Sequence, residues 1–148
     1  MQYTHVEFQN IIELHQKFVK GINGGEKANL KNADLYGADL SNINFSEANL
    51  ECANLKRTLM WSTNLERACM EGANLKHAML DGANLKDACL IGGHLKGVNL
   101  DHTDLRGTNL LNADLEGSTF SGAIYDQTTK WPEGFDPSSV GAVFASGN

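Results

Sequence analysis

From Leu30 onward, every fifth residue is large and apolar. The run reads Leu30, Leu35, Leu40, Phe45, Leu50, Leu55, Met60, Leu65, Met70, Leu75 and Leu80, then continues to Phe120 and Tyr125 without a register slip. Of these 20 positions, 15 are Leu. Two places before each sits a usually small residue, Ala in 12 cases, and between the two lies Asn or Asp in 13. A helix turns about 100° per residue, so a five-residue period would smear the Leu side chains around its surface. In a strand, side chains alternate, so the small residue and the Leu two places on share one face. The next small residue is three places further and would point the other way. The chain must therefore bend after each short strand. Roughly right-angle bends close a square after four quintets, which predicts coils of about 20 residues.

The residue two places after each Leu supports such bends. Gly occurs there at Gly37, Gly72, Gly82, Gly92, Gly97, Gly107, Gly117 and Gly122, and Asn at Asn32, Asn42 and Asn112. Both residue types accept the positive φ that a type II turn needs at its third position. Glu47, Arg67 and Asp87 share one corner and lack that tolerance, which predicts a different turn there, such as type I.

The run A-N-L-K-N-A-D-L-Y-G-A-D-L, Ala28 to Leu40, resembles the pentapeptide repeat family, and the resemblance extends to Tyr125. It implies an all-β solenoid, a right-handed quadrilateral β-helix; the periodicity reaches the square without its hand. Five coils stacked at about 4.8 Å would make a rod roughly 24 Å long. Departures at Arg57–Thr63 and Gly93–His94 keep the register.

A solenoid end exposes strand edges and core, so it needs a cover. Phe8, Ile11, Ile12, His15, Phe18, Val19 and Ile22 fall on one face of a helix over 5–20. Thr4 and Glu7 have capping-box spacing, and Gly21 reads as the stop. At the other end, Trp131, Pro132, Phe135 and Pro137 supply a lid after the pattern stops at Tyr125. The segment Y-D-x-T-x-x-W-P-x-G-F-D-P resembles the tail of many cyanobacterial family members. Residues 139–148 are mostly small and read as a mobile tail. The organisation expected is an N-terminal capping helix and connector over 1–27, a repeat β-helix over 28–125, and a C-terminal cap over 126–148.

Composition narrows the function classes. The chain has 148 residues, 12 basic and 18 acidic, for a net charge of −6. That length suits one domain. It contains no apolar run of about 18 residues, so no membrane span is expected. A basic stretch followed by an apolar one is missing from the N-terminus, so no secretory signal is expected. Three cysteines, an odd number, argue for a reducing, cytoplasmic setting over a disulfide framework.

Outward columns follow by adding 20 to a residue number. Lys56, Lys76 and Lys96 stack, with Arg57 and His77 beside them, but nucleic-acid binding needs a larger basic surplus. Asp39, Asp81 and Asp101 lie on the next wall, Glu51 and Glu71 on another. Some members of the family resembled here mimic duplex DNA and bind type II topoisomerases. Residues 28–125 hold 12 acids and 8 bases, a net −4, against one charge per about 1.7 Å of B-DNA axis. A gyrase-directed DNA mimic is therefore the alternative reading. The unusual feature is apolar: Leu59 and Met79 replace the common Asn or Asp one above the other, with Trp61 beside them. This candidate protein-binding patch competes with neutral drift on a tolerant surface. Cys69 and Cys89 are also stacked and make a candidate thiol pair, read as free neighbouring thiols in the cytosol. No zinc spacing, P-loop or nucleophile-elbow motif occurs, and a rod filled with Leu offers no natural pocket. The sequence thus points to a non-catalytic, monomeric scaffold for a protein partner, without cofactor, metal, nucleic acid or membrane.

Overall fold

A computed structural model describes residues 2–147 of the chain; Met1 and Asn148, at the outer ends of the two expected caps, lie outside them. Its elements are a helix α1 (His5–Val19), a strand β1 (Ile124–Tyr125), a 3-10 turn (Pro137–Val140) and a strand β2 (Val143–Phe144). From Asn29 on, the backbone is a ladder of single parallel bridges joining every fifth residue to the one 20 places on, or 21 places on for Asn109 and Lys130. One wall stacks Asn29, Asn49, Cys69, Cys89 and Asn109; the next stacks Asp34, Asn54, Asn74, His94 and Asp114. The third carries Asp39, Leu59, Met79, Asn99 and Thr119, and the fourth Asn44, Asn64, Asn84, Asp104 and Ile124.

The core lies along the axis. Leu50, Met70 and Leu90 occupy one interior column and are each 0 % exposed, and the Leu50 and Met70 N–H groups donate to the Cys69 and Cys89 carbonyls of the next coil. Where Thr replaces the small Ala, its hydroxyl finds a carbonyl: Thr58 Oγ1 donates to Leu55 O (2.7 Å), Thr63 Oγ1 to Leu40 O (2.9 Å) and Thr108 Oγ1 to Leu85 O (2.8 Å). Buried polar groups so paired cost little.

The preference for Asn and Asp at the outward position has a local cause. All thirteen of them accept, through Oδ1, the backbone N–H two residues on; examples are Asn49 from Glu51 (3.0 Å), Asn84 from Lys86 (3.0 Å) and Asn99 from Asp101 (2.8 Å). These are Asx turns, which start each corner.

The corners correct one expectation. Glu47, Arg67 and Asp87 do not use a different turn: their φ values are +62°, +56° and +57°, alongside +58° at Asn32 and +70° at Gly82. The turn bond is the same too, with Ala48 N–H donating to Phe45 O at 3.0 Å. Stacking imposes it. At these three corners the N–H reaches the next coil, Glu47 to Glu66 O (2.8 Å), Arg67 to Lys86 O (2.9 Å) and Asp87 to Arg106 O (2.9 Å). Left-handed backbone costs a non-glycine residue roughly 1–2 kcal/mol. The alternative would orphan a ladder donor and break the register of every coil beyond it.

Both ends are closed. Thr4 and Glu7 form the capping box of α1, and Gly21 (φ +66°) ends it, its N–H donating to Phe18 O at 3.0 Å. Phe8, Ile11 and Ile12 pack on the core. Ile22, expected on the same face, is 51 % exposed because it follows the helix stop. At the other end the apolar repeat stops at Tyr125 but the coil does not. Thr129 turns inward and donates from Oγ1 to Leu105 O at 2.8 Å, and Lys130 bridges to Asn109. The residues expected to form a mobile tail instead supply part of the 3-10 turn and β2, which pairs in parallel with β1 at Ile124–Val143 and Tyr125–Phe144. Small residues there hid an edge strand whose bonds come from the coil beneath.

His15 is the one histidine that is buried, between Phe18 and Phe45, with ring centroids 5.7 and 6.1 Å away. Its Nδ1 accepts the Ala28 N–H at 3.0 Å, so the neutral ring carries its proton on Nε2, which has no partner. Burial holds its pKa below the ordinary histidine value, Lys27 adding to this while the Ser46 backbone and the Glu47 carboxylate oppose it. At pH about 7.5 and above, His15 is almost wholly neutral in both states and contributes little to pH dependence. Below that, the unfolded chain takes up a proton that the folded chain refuses, so stability falls with acidification by at most about 1.4 kcal/mol per pH unit. Denaturation midpoints measured from pH 7.5 to 5.5 should show this slope. His15→Gln should flatten it; an unchanged slope would exclude His15 as its source.

Candidate functional site

Two walls carry more than one side chain that breaks the rule of Asn or Asp. On the third, Leu59 and Met79 are bridge partners, both half-buried, and Trp61 stands beside them 46 % exposed. The structure thus brings the three predicted residues onto one surface. Strand alternation points Leu59 and Trp61 outward together. The corner before this wall holds Lys56, Arg57, Lys76, His77, Lys96 and Glu116; the corner after it holds Trp61, Asp81, Asp101 and His102.

The charged edges are partly satisfied from within the chain. Lys96 Nζ pairs with Glu116 (2.8 Å), Arg57 Nη1 donates to Tyr36 Oη (3.3 Å), and His102 Nδ1 lies 2.9 Å from Asp81 Oδ1. Among the described residues Lys56 and Lys76 make no ion pair. The pull of Glu116 raises the Lys96 pKa further, keeping that ammonium charged.

Cys69 and Cys89 are also bridge partners and half-buried, and their thiols are free. Ile91 and Leu111 adjoin them, the latter 40 % exposed. Cys52 sits apart at a corner with φ +54°. Among the described residues no group of three or more His, Cys, Asp or Glu side chains is placed to hold a metal ion. No helix is long and apolar enough to cross a membrane. The acids do not build a continuous wall, since no outward column stacks more than two in succession.

One concavity was not legible in the sequence. The C-terminal cap leaves an open cleft of about 410 Å³ against the last coil, lined by Leu115, Glu116, Gly117, Pro132, Phe135 and Val140. The axis of the coils is filled, and the expectation of a rod without a pocket fails at the cap, whose irregular loop cannot follow a flat surface. A repeat-breaking Pro-Glu-Gly-Phe segment was the available signal.

Residues 26–61, 62–97 and 90–122 match the family described as Pentapeptide repeats, in 8 copies. The chain belongs to the pentapeptide repeat family. Among solved structures it is similar to a pentapeptide repeat protein from the Arabidopsis thaliana thylakoid lumen, at 29 % identity and a TM-score of 0.53, over 63 % of this chain and 68 % of that one. It is similar to HetL from the cyanobacterium Nostoc, a pentapeptide repeat protein involved in heterocyst differentiation regulation, at 22 % identity and a TM-score of 0.57, over 88 % of this chain and 57 % of that one. A third is Rfr23 from the cyanobacterium Cyanothece, at 37 % identity and a TM-score of 0.45, over 66 % of this chain and 63 % of that one. The chain thus spans less than two thirds of the length of the last two. No curated protein matches it. Pentapeptide repeat proteins share the right-handed quadrilateral β-helix, and they are generally structural or interaction modules.

Proposed function

We propose that this pentapeptide repeat protein is a non-catalytic, cytoplasmic interaction module: a rod over 28–125, closed by 1–27 and 126–148, that holds a protein partner on Leu59, Trp61 and Met79. The observation that carries this reading is a forfeited hydrogen bond. Every Asn or Asp at the outward position accepts the N–H two residues on. Leu59 and Met79 give up that acceptor, as Cys69, Cys89 and His94 also do, but only at Leu59 and Met79 do large apolar side chains replace it on one wall; the N–H groups of Trp61 and Asp81 have no partner among the described residues. Each such bond contributes roughly 0.5–1.5 kcal/mol. The chain gives up stability at two stacked positions and exposes apolar surface there, as a binding site does. Catalysis fits the molecule less well, because convex walls exclude water poorly. Cys69 and Cys89 act as free neighbouring thiols in this reading.

Leu59→Asn should restore the Asx turn and raise stability by about 0.5–1 kcal/mol in denaturant unfolding. Combined with Trp61→Ala, it should release a protein retained by the immobilised chain. Retention unaffected by the double change would remove the patch from the function.

A further inference from the structure

The wall of Leu59 and Met79 has a property that resting on the reading above makes specific: its two edges carry opposite charge in matching register. Ahead of the wall stand Lys56 and Arg57 in one coil, Lys76 and His77 in the next, and Lys96 in the third, with Glu116 in the coil beyond. Behind it, in the same coils, stand Trp61, Asp81 and Asp101, with His102 beside the two carboxylates. We propose that this wall binds the same wall of a second copy, giving a parallel dimer with its two-fold axis along the rods.

The symmetry follows from the charges. Rotating one copy about an axis parallel to the rod keeps each coil at its own height and exchanges the two edges. Arg57 then faces the partner's Trp61, a cation over an indole, the best of the aromatic platforms. Lys76 and His77 face the partner's Asp81, and Lys96 faces the partner's Asp101. Leu59 and Met79 meet their own copies in the centre, out of water. The antiparallel arrangement sets basic edge against basic edge and acid against acid, so electrostatics selects the parallel one. Asp39 faces its own copy at the end of the wall, a cost at the rim where solvent screens it.

The groups needed are available. Among the described residues Lys76 has no ion-pair partner, and the Asp101 carboxylate accepts only the Ser121 N–H, at 2.8 Å. Asp81 has only His102, whose charge depends on protonation, and Lys96 shares its charge with Glu116. The other apolar wall, around Cys69 and Cys89, lacks this complementarity: Glu51 and Glu71 follow it, while Glu66, Arg67, Lys86 and Asp87 mix signs ahead of it. Five coils at about 4.8 Å and a wall some five residues wide bury roughly 1,000 Å² in all, the low end for a specific interface. The dimer is therefore weak and salt-sensitive, and it is isologous, so it closes at two copies. It replaces the monomer expected from the sequence.

The test is sedimentation equilibrium of the full chain at low and high salt, with two charge-reversed variants. Wild-type protein should dimerise at micromolar concentration and dissociate as salt rises. Lys76→Glu/Lys96→Glu and Asp81→Lys/Asp101→Lys should each weaken self-association about tenfold or more. An equimolar mixture of the two should dimerise again, because each variant's edges then meet opposite charge. All four residues lie at the surface, and unchanged melting curves would show that the variants fold. A wild-type chain that stays monomeric at high micromolar concentration, a dimer indifferent to both variants, or a mixture that fails to reassociate would each overturn the proposal. None of these would touch the interaction-module reading, which fails separately if Leu59→Asn/Trp61→Ala leaves capture of a foreign protein intact.

Discussion

Replacing Phe45 by alanine should lower stability by about 3–5 kcal/mol, read as a drop in the denaturant midpoint at constant slope. Phe45 is 0 % exposed and takes a place that Leu holds in most coils. It is also where the helical cap meets the rod, its ring lying 6.1 Å from that of His15. Removing the ring therefore opens a cavity at a junction of two elements. In a rod where each coil touches only its neighbours, such a defect sits at the end that frays first. Phe45→Leu fills the space with the residue used by the other coils and should cost less than about 1.5 kcal/mol. If Phe45→Ala proves as mild as Phe45→Leu, the cap does not seal the rod through this contact. A useful second probe is hydrogen exchange: Phe45→Ala should deprotect the first coil's amides, such as Leu30 and Leu35, well before those of Leu75.

Trp131→Ala should cost about 3 kcal/mol, the low end for a large aromatic because the ring is only partly buried. Trp131 centres the C-terminal cluster, packing edge-on to Phe120 (5.8 Å between centroids) and Tyr125 (5.6 Å) and stacking on Phe135 (5.0 Å). Tyr125 in turn meets Phe144 of β2 at 5.4 Å, so loosening the lid frees the last strand as well. The exposed edge of Ile124 and Tyr125 is then open to pairing with other chains. The expected result has two parts: a lower midpoint, and association that grows with protein concentration and persists at high salt. Trp131→Phe should spare most of the stability, since the indole N–H has no partner to lose. A Trp131→Ala chain that melts like wild type would show that β2 and the coil beneath hold the end without the lid.

The repeat was legible because a period of five satisfies neither helix nor straight strand. Twenty apolar residues in strict register therefore demand a bent, coiled chain. The helical cap was legible from Thr4, Glu7 and the face of Phe8, Ile11 and Ile12, since its capping box closes as the spacing requires. The stacking of Leu59 on Met79 and of Cys69 on Cys89 followed from counting by 20. What escaped was whatever depends on groups distant in sequence. The corner at Glu47, Arg67 and Asp87 looked unfit for positive φ, because a residue's own preference is readable and the demand of the coil above it is not. The cleft of about 410 Å³ escaped for the same reason: it belongs to the fit between Pro132–Phe135 and Ala113–Ser118, two segments with no shared pattern.

Local chemistry alone thus determined the quintet, the square and the inward columns, because side-chain alternation and turn preference act within five residues. The tertiary structure decided how the ends are sealed. It turned Thr129 inward to extend a coil beyond its repeat, and it buried His15 without a partner for Nε2. It also set which charges border the apolar wall. Each of these is settled by backbone donors and acceptors that meet only after the coils have stacked, and a ladder bond left open in the interior costs more than a residue's local preference can recover.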